Sequence, residues 1–170
     1  MILEKKLMPD MTLGSFVELT PDLIKSLGAD AVISDIDNTL APYEDPIAPP
    51  RVVEWVNSLV SDGIALTLVS NNKEDRVARF CRGLPCAAYS DVKKPSVKYI
   101  LLAVKEMGTT PEKTVFLGDQ LLTDALAAHR AGMRAVIVPP IKDKKTLFFK
   151  FKRAIEKPYM KKYEKIKRTK

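Results

Sequence analysis

The chain has 170 residues, a formal net charge of +7, 46% hydrophobic residues and 29% charged residues. These values are typical of a globular protein with one domain and enough apolar side chains for a core. The sequence has no run of about 18 apolar residues, which excludes a predicted membrane-spanning helix. Its N-terminus does not resemble a signal peptide, and Cys81 and Cys86 lack the spacing of a metal site or disulfide framework, so we predict a cytoplasmic location.

The positive charge is concentrated at the C-terminal end. Residues 142–170 contain 13 Lys or Arg and 3 Asp or Glu, a net charge of +10, which leaves the rest of the chain at −3. A mildly acidic body with a basic tail indicates an anionic partner, either a membrane surface or a nucleic acid. The membrane alternative predicts a peripheral association with the inner face of the membrane.

Short apolar segments alternate with helical patterns in the middle of the chain. Strands are predicted at 30–35, 64–70, 86–90, 113–119 and 134–140, and helices at 49–63, 72–84, 94–111 and 121–133. This alternation predicts an α/β fold, in which a doubly wound, mostly parallel sheet carries helices on both faces as three α/β/α layers.

The alternating pattern defines a central domain at 30–140. Residues 1–29 are predicted to be an N-terminal extension, with a helix that packs on one face of this domain. Residues 141–170 are predicted to be a basic amphipathic tail, part of the same domain or peripheral to it.

Aromatic and aliphatic residues recur within this tail at helical spacings of three and four. They are Phe148, Phe151, Ile155 and Tyr159. Pro158 is expected to end or kink the helix. Two alternatives remain open for the apolar face: it packs on the sheet as a last helix, or it lies in a membrane interface with its lysines on anionic head groups.

Polar side chains follow the predicted strands. They are Asp35 and Asp37 after the first strand, Ser70, Asn71 and Asn72 after the second, Lys93 and Lys94 before the third helix, and Asp119 and Asp124 after the strand at 113–119. Because ligands of parallel sheets bind beyond the carboxyl ends of the strands, we expect these side chains to meet at one edge.

Several carboxylates at one edge repel each other unless a cation joins them, and oxygen ligands suit Mg²⁺. A carboxylate nucleophile is ionised at neutral pH and needs no activating base, but its charge must be screened from a phosphate. Mg²⁺ and Lys94 can provide that screening. Asp35 and Asp37 can then have separate roles, in which one attacks phosphorus and the other transfers a proton.

Four segments, DIDNT, VSNN, KKP and GDQLLTD, resemble in this order the four motifs of the haloacid dehalogenase (HAD) superfamily of phosphohydrolases. The resemblance covers about residues 30–140. It implies that Asp35 is the nucleophile that forms an aspartyl-phosphate. It also implies that Asp37 is the general acid/base, that its backbone carbonyl contacts Mg²⁺, and that Lys94 is the lysine of the third motif.

The resemblance also assigns the phosphate and metal contacts. Ser70 is implied to hydrogen-bond the phosphoryl group, with Asn71 as the second candidate and Lys94 as its cationic contact. The implied Mg²⁺ ligands are Asp35, Asp37, Asp119 and Asp124. Lys93 competes with Lys94 for the phosphate contact, and the adjacent Pro95 favours Lys94.

The spacing of the motifs leaves no room for a cap domain, which predicts an open site and a large or surface-bound substrate. The same segments, followed by VPP and a basic aromatic tail, look like the YqeG-type subgroup. That subgroup is similar to the phosphatidylglycerophosphate phosphatases of mitochondria and plastids. The resemblance implies an Mg²⁺-dependent phosphoric monoester hydrolase that converts phosphatidylglycerophosphate to phosphatidylglycerol.

Other functions remain open. The basic tail also suits a capless phosphatase of nucleic-acid ends or of a phosphoprotein, or an RNA- or ribosome-binding module with a vestigial site. Three polar residues receive no chemical role: Asn72 is interpreted as a helix cap, Arg76 as a solvated helix charge, and His129 as a surface or packing residue.

Overall fold

Strands and helices alternate along the chain in the computed structural model, which describes residues 2–142 and 147–168, with side chains for 5–142 and 150–168. The strands are β1 Met11–Thr12, β2 Ala31–Asp35, β3 Ala65–Val69, β4 Ala87–Tyr89, β5 Thr114–Gly118 and β6 Arg134–Ile137. The α-helices are α1 Ile2–Leu7, α2 Pro21–Ser26, α3 Pro50–Ser61, α4 Glu74–Phe80, α5 Lys98–Glu106, α6 Leu126–Ala131 and α7 Leu147–Arg168. A π-helical turn, Leu121–Ala125, precedes α6.

All six strands form one parallel sheet in the order β1-β6-β5-β2-β3-β4. Apolar side chains are buried on both faces of this sheet. One core contains Trp55 and Phe80 from α3 and α4, and the other contains Ile100 and Ala128 from α5 and α6. Helices therefore cover both faces, and the predicted three-layer α/β/α fold is confirmed.

The register of the sheet brings the predicted site residues to one edge. Asp35, the last residue of β2, is in register with Val69 of β3, and Ser34 is in register with Leu117 of β5. The segments after these three strands therefore leave the sheet side by side. Among the described residues, one helix each lies between β2 and β3 and between β3 and β4, so neither connection contains a cap domain.

The N-terminal segment adds a strand that the sequence did not predict. Residues 1–29 contain the expected helix as α2, but Met11 and Thr12 also pair with Val136 and Ile137 at the edge of the sheet. A two-residue strand has no periodicity of its own, so only its contact with β6 defines it.

The C-terminal helix is continuous through Pro158. Pro158 therefore does not end this helix, and the predicted alternative, a kink, stays a prediction. Pro158 and Ala154, the residue four positions earlier whose carbonyl loses its partner, are both exposed. Water can therefore satisfy that carbonyl, which makes the proline tolerable.

The predicted apolar face of α7 does not pack as one unit. Tyr159 and Met160 pack against the core beside α5 and α6, whereas Phe151 is 64% exposed and Ile155 is 36% exposed. The side chains of residues 147–149, including Phe148, lie outside the described residues. No helix in the described part of the chain is long and apolar enough to cross a membrane.

His129 of α6 connects this helix to the N-terminal segment. Its Nδ1 lies 2.8 Å from the Lys6 carbonyl oxygen, and its Nε2 lies 2.8 Å from Oδ2 of Asp10. Both partners are acceptors, so the imidazolium form of the ring, in which both nitrogens donate, makes both hydrogen bonds. The hydrogen bond to Asp10 raises the pKa of His129. Asp10 also accepts from the Ala135 amide of β6, 2.7 Å away, so this pair fastens the edge of the sheet.

This contact predicts a pH-dependent contribution to stability. Since the pKa of His129 is higher in the folded chain than in the unfolded chain, its stabilisation is complete below about pH 6.5 and is lost as the pH rises through the folded pKa. The difference in unfolding free energy between wild type and His129→Ala should therefore be larger at acidic pH, by about 1 kcal/mol or less because Asp10 is half exposed. Urea unfolding across this pH range measures it, and an equal difference throughout would mean that the ring is neutral.

Candidate active site

Three carboxylates form a buried cluster where β2 and β5 end. Asp35, Asp119 and Asp124 each offer an oxygen atom, and these atoms lie within 4.8 Å of one another. All three residues are at most 6% exposed. Ionised carboxylates this close and this dry repel each other strongly, so the cluster requires positive charge. It could hold a divalent metal ion.

Lys94 supplies part of that charge. Its Nζ donates to Oδ1 of Asp35 and to Oδ1 of Asp124, the latter at 2.8 Å. Burial alone would lower the pKa of Lys94, but Asp124 and Asp35 outweigh burial and raise it, so the ammonium stays charged. The three carboxylates and Lys94 together leave two negative charges, which matches a divalent cation.

The pKa values of two of the acids are raised, mainly by burial, although the charge of Lys94 opposes the shift. Burial raises the pKa of Asp35 to about 7; Lys94 opposes the shift and Asp124 adds to it. Burial also raises the pKa of Asp119, and the charges of Asp124 and Asp35 raise it further. An added cation would favour the ionised form of both acids.

Asp124 organises the loop that carries Asp119. Its Oδ2 accepts from the backbone amides of Asp119 and Gln120 at 3.1 and 3.0 Å. Gly118 makes this possible, because a Cβ atom there would lie only 2.5 Å from Cγ and Oδ2 of Asp124. The glycine of the GDQ segment is therefore required by the close approach of a side chain.

Asp37 faces a different set of partners. Its Oδ2 accepts from Ser70 Oγ at 3.0 Å and from Asn72 Nδ2 at 3.1 Å, and its Oδ1 accepts from Arg76 Nη2 at 3.2 Å. The side chain of Asp37 does not belong to the three-carboxylate cluster. The two acids of the opening motif thus occupy separate environments, as their predicted roles require.

Two sequence interpretations are corrected by these contacts. Asn72 does not cap α4, whose N-terminal flanking residue is Lys73, and it bonds Asp37 instead. Arg76 is not a solvated helix charge, since its side chain is only 11% exposed and its guanidinium lies 5.0 Å from the Phe80 ring centre. A helical pattern cannot show that an arginine turns inward onto a carboxylate in the segment that follows β2.

Lys94 rather than Lys93 enters the site. The Lys93 ammonium is 3.6 Å from Asp91 and its side chain is 77% exposed. Asn71 holds the Lys94 backbone: its Oδ1 accepts from the Lys94 amide at 2.7 Å and its Nδ2 donates to the Lys94 carbonyl at 3.2 Å. Asn71 therefore positions Lys94, and its predicted phosphate contact stays a prediction.

A cleft of about 270 Å³ opens over these residues. Its lining includes all five side chains predicted to act in catalysis or to bind the substrate, together with Tyr43, Gln120, Thr123 and Lys152. Thr39 lies beneath it and donates from Oγ1 to Oδ2 of Asp35 at 2.9 Å. The structure thus brings Asp35, Asp37, Ser70 and Lys94 to one cleft, and their roles in catalysis stay predictions.

The C-terminal helix also reaches the site, which the sequence analysis missed. Arg153 Nη2 lies 2.7 Å from Oδ2 of Asp119, and Nη1 donates to the Asp119 carbonyl at 2.8 Å. The tail contains many Lys and Arg residues close together in the sequence. Nothing in their spacing distinguishes Arg153 from its basic neighbours.

Comparisons with known proteins agree with this geometry. A family model described as HAD-hydrolase-like matches residues 92–146. The protein of Bacillus subtilis named "Probable phosphatase YqeG" is 35% identical over 156 residues, which cover 92% of this chain and 91% of that protein. The chain belongs to the HAD-like hydrolase family. The predicted enzyme class, a HAD-type phosphatase, is thereby confirmed.

More distant relatives of this HAD-like hydrolase share part of its length. Phosphoglycolate phosphatase of Salmonella paratyphi A is 33% identical over 96 residues, but the match covers 51% of this chain and only 38% of that protein. Among solved structures, the cobalt-bound deoxy-D-mannose-octulosonate 8-phosphate phosphatase of Haemophilus influenzae has a TM-score of 0.56 at 15% identity, covering 82% of this chain and 92% of that one.

A second solved structure gives the same result. CbbY of Rhodobacter sphaeroides, in complex with phosphate, has a TM-score of 0.54 at 18% identity and covers 71% of this chain and 90% of that one. At these identities both structures establish the fold of this HAD-like hydrolase.

The close approach at Gly118 predicts the effect of a small substitution. In Gly118→Ala the added methyl group displaces Asp124, which loosens both the Asp119 loop and Lys94. We expect phosphatase activity per folded molecule to fall about 100-fold, with a loss of unfolding free energy of about 1–3 kcal/mol from overpacking. Activity assays combined with urea unfolding measure both.

Gly28→Ala is the matched control for this prediction. Gly28 has a φ of +71°, and no heavy atom lies within 4 Å of the place that a Cβ atom would take, so its alanine variant is strained without touching the site. It should lose stability while its activity per folded molecule stays at the wild-type level. Equal activity loss in both variants would contradict the specific role of Gly118.

Proposed function

We propose that this protein is an Mg²⁺-dependent phosphatase that acts through an aspartyl-phosphate on Asp35, and that its substrate is phosphatidylglycerophosphate. One observation carries the mechanism: Asp35 lies against Lys94 in the carboxylate cluster, while Asp37, two residues later, is held outside it by Ser70, Asn72 and Arg76. The two carboxylates thus lie in separate environments within the same cleft, which supports different roles for them, Asp35 as nucleophile and Asp37 as proton donor.

Asp35, Asp119 and Asp124 are the side chains that would hold the ion. Their oxygen donors and two uncompensated negative charges suit Mg²⁺. When bound, Mg²⁺ supplies positive charge that reduces the repulsion between the phosphate and the carboxylates. The backbone carbonyl of Asp37 is the further ligand that the family resemblance implies.

The chain's own residues then account for the reaction. Asp35 attacks phosphorus, the bond to the leaving oxygen breaks, and Asp37 gives its proton to that oxygen. Water next attacks the phosphorus of the aspartyl-phosphate and loses a proton to Asp37, which releases inorganic phosphate and restores Asp35. Lys94 stabilises the negative charge on the phosphoryl group, and Ser70 offers a hydroxyl beside it.

A groove next to the cleft supports a lipid substrate. It has a volume of about 670 Å³ and adjoins Asp119. Its apolar lining comes from the N-terminal segment, the central domain and α7, and includes Leu13, Leu121, Ile137, Val138 and Met160. Two lysines of α7, Lys150 and Lys157, also line it. Apolar walls with basic residues suit an amphiphile that has an acyl chain and an anionic head group.

The exposed residues of α7 support a membrane location for that substrate. Phe151 is 64% exposed, and its neighbour Lys152 lines the phosphate cleft. An exposed aromatic side chain among lysines suits the interface of an anionic bilayer. Insertion of Phe151 would bring the mouth of the cleft to the membrane surface, where an enzyme without a cap can reach a lipid head group.

One substitution, tested on three substrates, checks the proposed nucleophile and the proposed substrate together. Asp35→Asn keeps the size of the side chain and removes the attacking charge, so phosphate release with Mg²⁺ should fall at least about 1,000-fold. The substrates are phosphatidylglycerophosphate in mixed micelles, a terminally phosphorylated oligonucleotide and a small aryl phosphate. Asp22→Asn, an exposed acid on α2, is the control and should keep wild-type rates.

The substrate comparison separates the proposed function from its alternatives. Preference for the lipid supports the proposal. Preference for the oligonucleotide would replace it with a phosphatase of nucleic-acid ends, which the basic tail also suits. Full activity of Asp35→Asn on every substrate would refute the mechanism.

The exposed ring of Phe151 predicts how α7 contributes to membrane binding. Phe151→Asp should weaken binding to vesicles of phosphatidylglycerol about 10-fold or more, because it removes a ring that would insert into the bilayer and adds a charge that the lipid repels. Vesicle co-sedimentation measures this, and hydrolysis of the aryl phosphate checks that the site is intact. Leu101→Asp, at a 43% exposed position of α5, is the control. Equal effects of the two variants on vesicle binding would contradict the proposal that α7 contacts the membrane.

A further inference from the structure

Two residues of α7, Arg153 and Glu156, form a connected set of contacts with the loop that carries Asp119. Arg153 donates to the carboxylate and the carbonyl of Asp119, and its Nη1 also lies 2.9 Å from Oε2 of Glu156. Glu156 Oε1 accepts from the Leu122 amide at 3.1 Å. The two residues are one helical turn apart, so the same face of α7 presents both.

These contacts are unlike an ordinary surface ion pair. The side chain of Asp119 is fully buried, that of Glu156 is 3% exposed, and that of Arg153 is 27% exposed. Charge-assisted hydrogen bonds at this depth are strong and fix geometry, since each buried carboxylate must keep its partners. A helix whose other charges are mostly solvated has therefore buried one glutamate against this loop.

We propose that Arg153 and Glu156 are positioning residues for the metal-binding carboxylate of Asp119. Arg153 holds Oδ2 of Asp119, and Oδ1 is then directed towards Thr39 Oγ1, 3.4 Å away, which itself bonds Asp35. Asp119 therefore presents one oxygen to the cluster. This inference rests on the proposed divalent-ion site. Arg153 and Glu156 lie outside the four motifs, and they complete this site by orienting Asp119.

Glu156 explains how an arginine can be next to a cation site. An unpaired Arg153 would add a positive charge beside the ion and weaken its binding. Glu156 cancels that charge, so the pair orients Asp119 and leaves the two net negative charges of the cluster unchanged. Glu156 also satisfies the Leu122 amide at the start of the π-helical turn, while Asp124 satisfies those of Asp119 and Gln120. Carboxylates from two helical segments thus hold the loop at three backbone positions.

The experiment measures binding of Mn²⁺, as a stand-in for Mg²⁺, to the full chain by electron paramagnetic resonance of the free ion. The variants are Arg153→Met, Arg153→Lys, Glu156→Gln and the double variant Arg153→Met/Glu156→Gln. Lys161→Met removes a positive charge from an exposed position of the same helix and is the control. Urea unfolding of each variant shows the conditions in which it is folded.

Arg153→Met should weaken Mn²⁺ binding about 10- to 100-fold, the usual cost of losing a residue that orients a metal ligand. Arg153→Lys should restore part of this loss, because lysine keeps the charge but lacks the planar fork that reaches Asp119 and Glu156 together. Glu156→Gln should also weaken binding, since it leaves the charge of Arg153 uncompensated. Lys161→Met should bind as the wild type does.

Two results would overturn the inference while the proposed function stands. One is unchanged Mn²⁺ affinity in folded Arg153→Met, which would make the contact purely structural. The other is tighter binding in that variant, which would mean that Arg153 competes with the ion for Asp119. Failure of the wild type itself to bind Mn²⁺ would overturn the proposed metal site, and this inference with it.

Discussion

The ion pairs of Lys94 with Asp35 and Asp124 are the interaction on which the rest of the site depends. Three buried carboxylates at one edge of a sheet would otherwise separate or take up protons. Lys94 is itself held at its backbone by Asn71, and Asp124 is accommodated by the absence of a side chain at Gly118. The cluster thus constrains the two loops around it, and its carboxylates could hold a divalent cation.

A second constraint separates the two acids of the DID segment. Asp35 ends a fully buried strand and faces the cluster, whereas Asp37 lies beyond the strand and is bonded by Ser70, Asn72 and Arg76. The partners of Asp37 come from the end of β3 and the start of α4. The segment at the end of β2 therefore directs its two acids into different environments, the carboxylate cluster for Asp35 and the polar partners from β3 and α4 for Asp37.

The C-terminal helix combines features that the composition alone would treat as one basic tail. One face carries Arg153 and Glu156 onto the Asp119 loop, and Tyr159 and Met160 onto the core. Phe151 of the same helix is exposed, and the next residue, Lys152, lines the cleft. Under the proposed function, the same helix would contact the lipid surface and complete the site. A phosphatase without a cap domain needs another element to contact its substrate, and α7 would be that element.

The sequence by itself determined the order of strands and helices, the parallel sheet, and the edge where polar residues gather, because hydrophobic periodicity and strand ends are local signals. It also singled out Asp35, Asp37, Lys94, Asp119 and Asp124. Only the tertiary structure decided that Asn72 and Arg76 turn onto Asp37, that Met11 and Thr12 complete the sheet, and that Arg153 reaches Asp119. These contacts join residues up to 125 positions apart, as in the pairing of Met11 with Val136. Such long-range contacts depend on how the elements pack, and no local sequence pattern encodes that packing.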